Sequence, residues 1–186
     1  MPPPNHPRRI RICLGIFIAG LVASGVTAFP LETELAWLLG LRTIQGLPAP
    51  ILSWLQRVSA ALTATGAQYP FLAYGTDWLA FGHLVIAIAF IGPFLDPARN
   101  KWIVTFGLIA CAGVIPLALI AGPIRGIPFG WRLIDCSFGV FGCLPLLICR
   151  RSIRALERIE ASRELAALGG AMPDLEDIPR FRAGER

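Results

Sequence analysis

Four long apolar runs organise the chain, at residues 10–29, 78–95, 102–122 and 131–149, each bounded by charged or turn-forming residues. An α-helix rises about 1.5 Å per residue and a bilayer's hydrocarbon core is about 30 Å thick, so each run has the length of a membrane-crossing helix. Lipid offers the backbone no hydrogen-bonding partner, which restricts such runs to helix. Residues 31–77 are too polar and too often broken by proline to cross. Within them, 32–41 and 50–65 predict short helices. In the second, Ile51, Leu55, Val58 and Leu62 keep helical spacing while Gln56, Arg57, Ser59 and Thr63 fall elsewhere around the axis. Pro50 suits the first turn, and Trp37 and Trp54 are rings of the kind that rest at headgroup depth. The predicted fold class is all-α: an integral membrane four-helix bundle with two short interfacial helices between spans one and two, forming an outer cap.

Local signals refine each span. In the first, Gly15, Ala19 and Ala23 recur every four residues, the pattern of a helix packed closely on another. A signal peptide cleaved near Val26-Thr27-Ala28 is the competing reading, and the small-residue stripe favours an uncleaved helix. Thr76 or Asp77 is expected to cap the second span, DPARNK to form a short turn, and Pro116 to kink the third. The fourth should continue past Arg150 and Arg151 as a charged helix to about Leu168, followed by a disordered tail, MPDLEDIPRFRAGER.

Composition agrees with a lipid solvent: 55% of residues are apolar and 16% charged, where a soluble domain carries about 25% charged. The net charge of +5 reflects topology rather than nucleic acid. Ten Lys and Arg flank one set of span ends: Arg8, Arg9, Arg11, Arg99, Lys101 and five from Arg150 to Arg163. The other set has Arg42, Arg57, Arg125 and Arg132. Positive residues favour the cytoplasmic side. Residues 1–9 therefore read as a cytoplasmic basic N-terminus, 10–151 as the membrane domain and 152–186 as a cytoplasmic helix and tail. The expected partners are the bilayer and, through the small-residue faces, another membrane subunit or a second copy.

Ionisable residues cluster near the outer ends of spans two and four: Asp77, His83, Arg125, Arg132 and Asp135. A charged side chain at the bilayer centre costs on the order of 3 kcal/mol, and such groups usually face the bundle interior with a partner. Asp135 lies above Gly139 and Gly142 on one helix face, which turns it towards a neighbouring helix. Arg132, one turn back, is an available partner, as is Arg125. Asp77 and His83 are about 120° apart around the axis and do not form one unit. Two uses fit these residues: capping and pairing that fix helix register, or an outward pocket for a lipid headgroup, quinone or other small molecule.

Other chemistry has little support. The five cysteines sit in apolar runs without metal-ligand or redox spacing and read as small hydrophobes. His83 stands alone in the bundle, with His6 in the N-terminal tail, so paired axial haem ligands are not supplied. No HExxH, GxSxG, Walker A or GxGxxG string occurs. The cofactor, if any, stays unknown, and the balance leans away from an enzyme.

The strings YPFLAYGTDWLAFGH, IGPFLDPARNKW and IAGPIRGIPFGWRLIDCSFGVFG resemble a family of small bacterial polytopic membrane proteins that is uncharacterised and has no assigned activity. The resemblance runs from span one to Arg151. It implies a bacterial inner-membrane location and transfers no site residues. The expected function is that of a structural or accessory membrane protein, with outward binding of a lipid, quinone or other hydrophobic molecule as the alternative.

Overall fold

The computed structural model describes residues 6–170. The predicted disordered tail, 172–186, and residues 1–5 of the basic N-terminus lie outside them. The elements are α1 (His6–Ala28), α2 (Leu31–Leu39), α3 (Arg42–Gln45), α4 (Ala49–Gln68), a 3-10 turn at Pro70–Leu72, α5 (Ala73–Ala89), α6 (Ile91–Leu95), α7 (Lys101–Ile124) and α8 (Phe129–Gly170). Every regular element among the described residues is helical. Four segments are long and apolar enough to cross a membrane: Pro7–Ala28, Pro70–Leu95, Lys101–Ile124 and Phe129–Ala166.

Prolines set several boundaries. Pro93 has no N–H for the carbonyl of Ala89, so α5 stops there and α6 begins after one intervening residue, Phe90. After α6, Asp96 Oδ1 accepts from Arg99 N at 3.1 Å, and Asn100 Nδ2 donates to the carbonyls of Asp96 (3.0 Å) and Gly92 (3.3 Å). A Cβ at Gly92 would lie 3.2 Å from Asn100 Oδ1, so the small residue lets the amide reach back across the turn. The expected DPARNK turn is thus closed by its own side chains. Pro116 and Pro145 sit inside α7 and α8, which each continue as single helices.

The packing order is α5, α1, α8, α7. Helix α1 lies between α5 and α8, and α7 packs along α8 in the most extensive interface. Although α5 and α7 are joined by a short connection, they do not pack along each other. They converge at Phe90, which is fully buried, stacks on Phe17 with ring centroids 4.7 Å apart, and covers Gly107 of α7. The main core gathers around it from all four long segments: Ile10, Leu14, Phe90, Ile103, Val104, Leu146, Cys149 and Ile153. All of these lie towards one end, the end predicted to be cytoplasmic.

Towards the other end, the four long segments are buried against one another in two pairs. In α7 with α8, a Cβ at Gly139 would lie 2.5 Å from the Cys111 carbonyl oxygen, and one at Gly142 would lie 2.8 Å from Cys111 Sγ. The glycine stripe expected beneath Asp135 therefore does bring another helix close, and that helix is α7. In α1 with α5, the close approach is made by Gly25, whose added Cβ would lie 2.9 Å from the Ala80 carbonyl oxygen. This corrects the expected packing face of α1. Ile10, Leu14 and Gly25 face inward, whereas Ala19 and Ala23 of the expected stripe are exposed. Size decided the outcome: the larger apolar side chains fill the core, and one glycine suffices at the crossing.

Helices α2 and α4 form a hairpin of their own, with Leu35 as its buried residue. Leu55, Val58 and Leu62 of α4 are half-buried as their spacing predicts, and Ile51 is exposed. Pro50 occupies the first turn of α4. The charged continuation of the fourth span is also present: α8 runs unbroken for 42 residues. Beyond the apolar run, Glu157 of α8 accepts from Lys101 Nζ of α7 at 2.8 Å, a largely exposed ion pair. Such a pair contributes little stability in water, about 0.5 kcal/mol.

Candidate functional site

Asp77 is not a helix cap. The 3-10 turn feeds straight into α5, which starts at Ala73, so Asp77 is the fifth residue of the helix. Nothing at the tyrosine-glycine pair stops the helix from beginning a turn early, and no side chain caps its first N–H groups. Helical spacing then places Tyr74, Asp77, Trp78 and Phe81 at positions i, i+3, i+4 and i+7, on one face. Trp78 meets Tyr74 and Phe81 edge-on, with centroids 6.0 and 5.9 Å away. Phe29, just past the end of α1, closes the side. Together these five residues line a shallow, open groove of about 300 Å³. Asp77 is half-buried there, and its carboxylate makes no hydrogen bond or ion pair among the described residues.

His83 lies one and a half turns further along α5, half-buried on the side that carries Ala80 and Ala87 against α1. Its Nδ1 donates to the Leu79 carbonyl at 2.8 Å. The carbonyl can only accept, so Nδ1 carries a proton. This hydrogen bond stays within α5. His83 does not line the aromatic groove.

Arg125, Arg132 and Asp135 belong to the α7–α8 connection. The backbone turns back at Gly126, whose φ of 69° is left-handed, and Ile127 N donates to the Gly122 carbonyl at 2.9 Å. Arg125 is exposed at the end of α7. The stem of Arg132 lies against Gly122, where a Cβ would come within 2.7 Å of its Cγ. Its guanidinium sits 5.2 Å above the Phe129 ring, and its Nε is buried without a hydrogen-bond partner. Asp135 is half-buried one turn on. The expected ion pair between an arginine and Asp135 or Asp77 is not formed: among the described residues the ion pair is Lys101 with Glu157. Packing against Gly122 and Phe129 holds Arg132 elsewhere.

The five sequence-predicted residues thus divide into two places, one on α5 and one at the α7–α8 turn, with α1 between them. Comparison with protein-family models, characterised proteins and solved structures found no match. Of the groove's walls, Asp77 alone is among those five residues. The helical spacing of Tyr74, Asp77, Trp78 and Phe81 was the signal that could have found three more, and no local signal marks Phe29. No group of His, Cys, Asp and Glu side chains among the described residues is arranged to hold a metal ion, and the cysteines are free.

A second feature lies on α1. With Leu14 and Gly25 turned inward, Ala19, Gly20, Ala23, Ser24 and Thr27 are all exposed, and nothing lies within 4 Å of a Cβ built on Gly20. The backbone there is open to a close neighbour.

Proposed function

We propose that the chain is a multi-pass protein of the bacterial inner membrane, with both termini cytoplasmic, that serves as a structural or accessory component of a membrane assembly. Only 17–28% of the most apolar stretch of each long segment is buried within the chain. The rest, including Ile88, Ile109, Ile120, Phe138 and Phe141, calls for an apolar solvent. The inner membrane and the orientation rest on the family resemblance and on the asymmetry of Lys and Arg. A periplasm-active reporter fused after Gly170 is expected to be silent, and the same reporter inserted between Gly46 and Leu47 active. The opposite pattern would overturn the orientation.

The observation that carries the accessory role is the open small-residue face of α1. Without a hydrophobic driving force in lipid, helices associate where small residues allow close backbone contact. Native mass spectrometry after gentle solubilisation is expected to show a stoichiometric second polypeptide, or a second copy. Ala23→Leu should leave the chain folded and release that partner. A monomer without partners, or a complex indifferent to the substitution, would sink this reading.

The aromatic groove supports a second reading: outward-facing binding of a lipid, quinone or other small hydrophobic molecule, for sensing or transport. Its position at the predicted outer end of α5, with an unengaged carboxylate in the wall, favours it.

A further inference from the structure

We infer that the groove of Phe29, Tyr74, Asp77, Trp78 and Phe81 is a binding site for a lipophilic organic cation, such as one bearing a quaternary ammonium or phosphonium centre. The inference rests on the outward-binding reading above and names the ligand's charge and class.

Four of the five lining residues are aromatic and the fifth is an acid. Aromatic rings carry negative charge density on their faces and attract a cation placed over them, most strongly when the cation is weakly hydrated. A quaternary centre has no N–H to satisfy, so it asks for ring faces and a counter-charge rather than directed hydrogen bonds. The wall of this groove offers both. A neutral quinone or an acyl chain would use the rings and gain nothing from Asp77.

The placement of Asp77 is otherwise unexplained. As the fifth residue of α5 it does not cap the helix, and no arginine, lysine or histidine pairs with it among the described residues. An unpaired half-buried carboxylate at membrane depth is costly, and a bound cation would offset that cost. Aromatic residues at this depth also occur as simple interface anchors, but anchoring needs neither a groove nor an acid within it. The edge-on packing of Trp78 between Tyr74 and Phe81 holds the rings in place before a ligand arrives, which reduces the ordering cost of binding.

The test uses the full chain in nanodiscs of zwitterionic lipid and three probes: tetraphenylphosphonium, tetraphenylborate of like size and opposite charge, and a neutral short-chain quinone. Equilibrium binding should show saturable, stoichiometric uptake of the phosphonium and none of the borate. Asp77→Asn should weaken phosphonium binding by roughly tenfold or more, and Trp78→Ala, at an exposed position, by a similar factor. Size-exclusion and circular-dichroism profiles confirm that both variants are folded. Equal binding of phosphonium and borate, or an Asp77→Asn protein that binds phosphonium as well as the parent, would overturn the inference. Quinone binding without phosphonium binding would overturn the cation and keep the outward-binding reading. Uptake of none of the three would overturn both.

Discussion

Replacing Gly139 by alanine is expected to cost about 3 kcal/mol and most of the folded yield, a large effect for one methyl group. The added Cβ would lie 2.5 Å from the carbonyl oxygen of Cys111 and 3.4 Å from Val114 Cβ. The first of these is backbone, and α7 can move it only by separating from α8 along their whole seam. Gly142→Ala is the control, since its Cβ would meet Cys111 Sγ at 2.8 Å, and a side-chain sulfur can rotate away. Thermal unfolding in detergent should therefore rank Gly139→Ala well below Gly142→Ala. Equal losses would show that the seam is not set by this backbone contact.

Phe90→Ala should be comparably damaging, at about 3 kcal/mol on the scale of buried aromatic truncations. Phe90 is where all four long segments meet, and its loss leaves Phe17 and Gly107 facing a void. Gly107→Ala alone should also destabilise, because its Cβ would lie 2.6 Å from Phe90 Cζ and 2.8 Å from Leu146 Cδ1. Combining the two relieves the first clash and partly refills the space. The double variant should be at least about 1 kcal/mol more stable than the sum of the single effects predicts. Strict additivity would mean that Phe90 and Gly107 do not share a packing site.

The features legible in the sequence are those that depend on one segment at a time. Twenty apolar residues declare a long helix whatever surrounds them, and Arg150 to Arg163 declare where the apolar part of α8 ends. The DPARNK turn was readable because its closure is local to Asp96 and Asn100. What escaped depends on neighbours. On a helix that is apolar all round, periodicity no longer marks the inward face, so Ala19 and Ala23 looked as suitable as Gly25. Asp77 looked like a cap because acids often are, yet the helix start was decided by Pro70 and by the absence of any stop before Asp77. The pairing of Arg132 with Asp135 followed from spacing, but the stem lies against Gly122 of another helix and the guanidinium over Phe129. Phe90 gave no signal at all, since its importance lies in what converges on it.

Helix α8 is a single rod of 42 residues, about 63 Å long at the usual rise. Its tightest crossing, at Gly139 and Gly142, is far from its middle. Towards Phe129 the rod extends about 16 Å from that crossing, and towards Gly170 about 45 Å. Because α8 is also held further along by Leu146, Cys149 and Ile153 in the core, it cannot swing about the glycines alone, and a sideways movement beside Arg132 is passed to that core before it reaches Gly170.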